Sequence, residues 1–261
     1  MTGKSAIEWC DLTWNPLTGC TRVSPGCDHC YAFTLHDARH KISVENNGVW
    51  PKTGKLMPMQ YARPFTEIQL FPQRLGDPLK NKRPTKYFVN SMSDLFHSKV
   101  PLDYILECFN VMRRADWHIF QVLTKRGNRL QKLASVINWP ENVWMGVSIE
   151  NDKLTARADQ LRQVPAAIRF LSCEPLLEPL PSLNLEGIDW VITGGESGLN
   201  ARLCHPDWVR DIRDRCMAAG IAYLHKQWGG RTPKAGGREL DGKIWGEYPV
   251  KYEERKGYCY V

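Results

Sequence analysis

No apolar run in this 261-residue sequence approaches the roughly 20 residues that a membrane-crossing helix requires. The first residues, MTGKSAIEWCDLTW, lack the basic-then-apolar order of a secretory leader. Short-period repeats and low-complexity tracts are absent too. The nine cysteines are an odd number, which disfavours an evenly paired disulfide scaffold. No second CxxC follows the first, so a closed four-cysteine zinc site has no obvious second half. Together these absences predict a soluble, cytoplasmic protein whose clustered thiols bind metal or do chemistry. Nothing in the sequence sets the oligomeric state.

The chain does have apolar residues to spare, 43% of the total, which excludes global disorder. Its 35 Lys and Arg against 28 Asp and Glu give a formal charge of +7, compatible with a polyanionic partner such as nucleic acid. Short runs rich in β-branched and aromatic residues recur at 87–90, 118–123, 143–149, 168–172, 188–193 and 221–225, with an earlier one within 8–14. They lack clean alternation, as strands buried on both faces do. Helical patterns lie between them at 101–115, 152–163 and 207–219. The spacing predicts an α/β fold of about six to seven βα units, a partial (β/α) barrel, with a doubly wound sheet as the competing architecture. The barrel is expected over 1–228, with an insertion at about 41–85 that covers its mouth and an irregular extension at 229–261.

The most informative segment is WNPLTGCTRVSPGCDHCYA, which places Cys20, Cys27 and Cys30 in one Gly- and Pro-rich loop after the first strand. In a barrel, active sites sit at that end. Three thiolates leave a cubane with one open iron. They leave a structural zinc one ligand short, unless His29, His36 or a distant cysteine completes it. Iron–sulfur cluster, zinc and unligated thiols all remain readings of the spacing.

Polar residues recur where each later strand should end. They are Ser91, Ser93 and Asp94; then Thr124, Lys125 and Arg126; then Ser148, Glu150 and Asn151; then Cys173 and Glu174; then Gly194, Gly195 and Glu196; and last Lys226 and Gln227. Any one of them simply marks where a strand meets solvent. As a set they are expected to converge with the cysteine loop on one cavity. Cys10, Cys108 and Cys216 fall at core positions, where a free cysteine acts as a small hydrophobe. Trp228 is read as packing, with stacking on a base as the alternative.

WNPLTGCTRVSPGCDHCYA, NSMSDLFH, LTKR, SCEPLLEPL, VITGGESG and HKQWGG together resemble a phage-associated three-cysteine-motif family of unknown function that is itself similar to radical S-adenosylmethionine (SAM) enzymes. The resemblance implies a barrel of the radical SAM type, a 4Fe–4S cluster on Cys20, Cys27 and Cys30, SAM as cofactor and an external electron donor. Two departures stand out: six residues rather than three separate the first two cysteines, and His29 replaces an aromatic before the last. Gly194, Gly195 and Glu196 look like the Gly-Gly-Glu motif that binds the SAM amino group, though it normally follows the second strand. By position that contact falls to Ser91, Ser93 or Asp94, with Ser148 and Glu150 beside the cofactor. Glu174, Glu196 and Lys125 are the candidate catalytic groups, and a nucleic acid or nucleoside the candidate substrate. The alternative is a zinc- or cluster-stabilised nucleic-acid-binding protein that does not cleave SAM.

Overall fold

A computed structural model describes residues 2–4 and 7–249. The predicted extension beyond 249, with Cys259, lies outside the described residues.

One eight-stranded sheet organises the chain. In chain order its strands are β1 (Thr2–Lys4), β2 (Leu12–Trp14), β3 (Lys86–Val89), β4 (Ile119–Thr124), β5 (Val143–Ser148), β6 (Ile168–Cys173), β7 (Trp190–Gly194) and β8 (Ala222–Gln227). They lie side by side in that same order. β1 is antiparallel to β2, and β2 to β8 are all parallel. The strand order never reverses, so the sheet has no switch point of the doubly wound kind. It curls into a half-barrel, and β8 does not close onto β1 among the described residues.

The two faces of the strands divide cleanly. Val89, Val122, Met145, Leu171, Val191 and Tyr223 belong to the larger core. That core is shared with α2 (Leu102–Arg114) and α5 (Pro206–Ala219), through residues such as Ile105, Met112, Ile212 and Cys216. The other face carries Phe88, Trp144, Phe170, Trp190, Ile192 and Leu224, which with Trp9 fill the concave side. Alternate residues of a strand face opposite ways, so the side chains after these at the strand ends continue towards the mouth. Gln121, in register with Phe88 and Trp144, is fully buried among them, and neither atom of its amide has a partner among the described residues.

The expected helices form with two differences. The stretch at 152–163 is split into a single turn, Asp152–Leu154, and α4 (Ala156–Arg162). A further helix, α1 (Tyr31–Glu45), follows the cysteine loop and stops just before Asn47 and Gly48, which adopt positive φ. An irregular segment follows α1 from Asn46. It packs back on the cysteine loop, pairing Gln69–Leu70 with Leu17–Thr18 and placing Phe65 against Phe33. No helix among the described residues is long and apolar enough to cross a membrane.

Buried histidines give the fold a definite acid response. His225 is fully buried on the helix side, with Nδ1 3.0 Å from the Thr193 hydroxyl, and burial lowers its pKa to about 4. Burial, aided by Arg126, does the same to His97. The unfolded chain takes up these protons near pH 6.5, the folded chain only near 4. Stability is therefore full above 6.5 and falls as pH drops through that window. We expect a loss at pH 5 of about 1–2 kcal/mol per histidine, with a flatter profile for His225→Phe. A melting temperature that is the same at pH 7 and pH 5 contradicts this.

Candidate functional site

The cysteine loop sits at the carboxyl end of the parallel strands, held there by backbone as much as by side chains. Gly19 takes φ +106°, donates its N–H to Met92 O, and lies so close to the Glu67 carbonyl that a Cβ would collide. Cys20 N bonds Phe65 O at 2.9 Å. Cys27 closes a tight turn over Pro25–Cys27, and Cys30 is the N-cap of α1. Asn15 pins the next loop by accepting from Met92 N and exchanging hydrogen bonds with the Ser91 hydroxyl.

Three carboxylates fasten this loop. Asp94 receives Thr124 Oγ1 (2.7 Å), the backbone N–H of Phe96 and of Lys125, and Arg126 (2.7 Å). Arg126 in turn reaches Thr21 O and the Cys20 thiol. Glu150 is fully buried and receives Ser24 Oγ (3.0 Å), Arg157 (2.9 Å) and the Lys125 ammonium. The Gly26 backbone lies hard against the Glu150 side chain, and a Cβ there would collide. Glu196 meets His29 Nδ1 at 2.9 Å and is gripped by Arg202 through its N–H and its guanidinium. The same arginine donates to Pro25 O. Burial opposes charge on Glu196, but the Arg202 and His29 hydrogen bonds outweigh it and hold the pKa at about 2.

The thiols differ electrostatically. Burial, with Asp94 nearby, pushes Cys20 up to about 11. Burial also works against a Cys27 thiolate, yet Lys125 and hydrogen bonds around Ser24 win and lower its pKa. Burial lowers Lys125 itself to about 8, against the pull of Cys27 and Cys30. Among the described residues no three His, Cys, Asp or Glu side chains are grouped as a ready site for one metal ion. The donor set nonetheless suits an anionic iron–sulfur cluster: three soft thiols on one loop, faced by Lys125 and Arg126.

The remaining expected residues fall as follows. Ser148 is buried one layer inside the mouth, in register with Ser172. Glu174 pairs with Lys226 (2.8 Å) and accepts from Ser172 Oγ (3.1 Å). Gly194 leaves room for Glu174, whose Oε1 would be 2.8 Å from a Cβ at that position. Gly195 lies against the Trp228 carbonyl, where a side chain would collide, and Trp228 Nε1 donates to Glu239 O. The Ser93 hydroxyl is taken by Leu17 O. Cys173 is buried in the helix-side core, its thiol pushed up by burial. Asp94, Lys125, Glu150 and Glu196 are thus brought to the cysteine loop or its direct partners. The Glu174–Lys226 pair has no hydrogen bond to that loop.

Sequence reasoning passed over Arg157 and Arg202, which neutralise Glu150 and Glu196. Neither is at a strand end. Arg157 sits in a helix like any surface arginine, and Arg202 in a loop whose position depends on the rest of the chain.

The profile of a family described as "Protein of unknown function (DUF5131)" matches residues 4–249. No curated protein matches the chain. Among solved structures, spore photoproduct lyase complexed with dinucleoside spore photoproduct is similar at TM-score 0.50 and 13% identity. An alanine mutant with the same dinucleoside and a serine mutant of that lyase each reach 0.51 at 14%. The likeness covers 82% of this chain and 63% of each lyase chain. It establishes the fold as a partial barrel of the radical SAM type.

Glu150 supplies a direct test of this network. Glu150→Leu leaves Lys125 and Arg157 buried without their counter-charge, and we expect a loss of about 3–5 kcal/mol in denaturant unfolding. Adding Arg157→Met should recover part of it. A single substitution costing less than about 1 kcal/mol contradicts the arrangement.

Proposed function

The chain belongs to the DUF5131 family of proteins of unknown function, and we propose that it is an iron–sulfur enzyme of the radical SAM type acting on a nucleic acid or nucleoside. One observation carries the reading: three cysteines on one loop at the carboxyl mouth of a parallel partial barrel, with cations facing them.

Cys20, Cys27 and Cys30 would hold a 4Fe–4S cluster, leaving one iron open. Bound there and reduced by an external donor, such a cluster would supply the one-electron chemistry by which SAM is cleaved and hydrogen is taken from substrate. The protein's part is positioning and exclusion of water. Asp94, Glu150 and Glu196, with their arginines, keep the loop in one shape whether or not a ligand is present. Lys125 and Arg126 offset the negative charge that accumulates on the thiolates. Ser148, Ser172, Glu174 and Lys226 line the concave side beneath the loop. Glu174 and Lys226 satisfy each other there and are free to exchange that partner for the polar groups of an incoming ligand. The Ser91–Ser93 loop lies beside Tyr31, whose hydroxyl donates to Ser91 O (2.7 Å), and is the candidate seat of the SAM amino group. Gly194, Gly195 and Glu196 act in this reading by fastening the loop.

The substrate class rests on the formal charge of +7 over the whole chain. The lyase that shares the fold, complexed with a dinucleoside, agrees with it. Free thiols and an oxygen-sensitive cluster suit a reducing, cytoplasmic setting.

Anaerobically purified protein should contain about four irons and matching labile sulfide per chain. Each of Cys20→Ala, Cys27→Ala and Cys30→Ala should remove most of the iron. SAM should perturb the EPR spectrum of the reduced protein, and 5′-deoxyadenosine should accumulate. Stoichiometric zinc without sulfide refutes the cluster. A cluster that neither responds to SAM nor cleaves it leaves the non-catalytic nucleic-acid-binding reading in its place.

A further inference from the structure

A second concavity opens beside the cysteine loop, on its outer flank. It has a volume of ≈ 510 Å³ and runs between the starts of α3 (Gly127–Leu133) and α4, with Val23 of the cysteine loop forming part of one wall. Five of the side chains that line it are cationic: Lys125, Arg126, Arg129, Lys153 and Arg157. No carboxylate lines it.

The state of each cation decides what such a groove can do. Lys125, Arg126 and Arg157 are paired with Glu150 and Asp94, which lie behind the wall rather than in it. Arg129 is fixed by the carbonyls of His97 and Val100 and meets no carboxylate. Lys153 is exposed and makes no ion pair or hydrogen bond among the described residues. Lys125, Arg126 and Arg157 thus answer to Asp94, Glu150 and the thiols, while Arg129 and Lys153 bring two positive charges to the wall with no ion pair among the described residues. Asn128 and Gln160, bonded to each other at 2.7 Å, add uncharged donors at the rim. Concentrated like charge of this kind is unfavourable unless a ligand of opposite sign is bound.

We propose that this groove holds the phosphodiester backbone of a nucleic-acid strand and so delivers a nucleotide of that strand to the mouth beside the cysteine loop. The proposal rests on the functional reading above and extends it from a substrate class to a binding surface. Two features favour a phosphodiester chain over a carboxylate ligand. The charges are spread along a groove instead of focused on one point. Arg129 and Arg157 are guanidinium groups that line the groove and keep N–H donors beyond those their carbonyl and carboxylate partners use. Two cations without an ion pair, among five along one wall, match a short run of phosphates, and a groove beside the loop leaves the barrel interior for the base.

The test uses the full chain, purified anaerobically, and a short fluorescein-labelled single-stranded oligonucleotide read by fluorescence anisotropy. Binding needs neither SAM nor reductant, so its outcome is independent of 5′-deoxyadenosine formation by the unaltered protein. Binding should weaken steeply with salt. Lys153→Ala should lower the slope of log affinity against log salt by about 0.7, the share of one contact to a single strand. Lys153→Glu should weaken binding by about tenfold at low salt. Lys132→Glu makes the same charge change on α3 outside the groove and should leave affinity intact. Equal losses for Lys132→Glu and Lys153→Glu would reduce the effect to net charge and overturn the proposal. So would unchanged affinity in Lys153→Glu. Competition by a mononucleotide as effective, phosphate for phosphate, as the oligonucleotide would replace the strand by a free nucleotide and overturn it as well. Lys153 is solvent-exposed, and an unchanged melting temperature confirms that the variants fold.

Discussion

Three buried carboxylates hold the cysteine loop, and the mouth of the barrel is arranged around keeping them charged. A loop of eleven residues bearing three thiols has little regular structure of its own, and most of its backbone groups must find partners elsewhere. Asp94, Glu150 and Glu196 reach it from three different strand ends. Burying a carboxylate costs several kcal/mol unless its lone pairs are met. Each therefore carries an arginine together with two or more further donors. Bonds of this kind are directional. They fix where Cys20, Cys27 and Cys30 stand, which apolar packing around a short loop cannot do.

The same requirement explains the strand-end pattern in the sequence. Those polar residues were legible because a parallel sheet points all its carboxyl ends one way, and seven apolar runs located the ends to within a residue or two. The fold was legible for the same reason: strands buried on both faces are continuously apolar, and helical patterns lay between them. What the sequence could not show was the division of labour. Asp94, Glu150 and Glu196 read as ligand-binding groups, and the structure turns them towards the loop. Their partners Arg157 and Arg202 lie 7 and 6 residues away from the acids they neutralise, but the links onward to Ser24 and Pro25 span 126 and 177 residues. No local pattern encodes a contact of that span. At Gly194 and Gly195 tight packing against Glu174 and Trp228 demands the same residue type as close approach of a ligand.

Two ionic systems of different character result. The first is closed: Asp94, Glu150 and Glu196 are buried, and each accepts from three or more donors. The second is open. Glu174 and Lys226 face each other in the concave interior with one ion pair and one hydroxyl between them. A pair that is its own counter-ion tolerates burial.

Charge at the rim follows from the closed system. The cations that neutralise the carboxylates must approach from somewhere, and at Glu150 and Asp94 they approach from the outer flank. Lys125, Arg126 and Arg157 thus meet an acid and also line the flank groove. Acids at strand ends argue against a phosphate-binding surface only when they stand in that surface. Here no acid lines the groove, and Asp94 and Glu150 hold its cations without standing in it. One network then does two things: it fixes the thiols on the inside, and it leaves a rigid positive wall on the outside, within one loop's width of them.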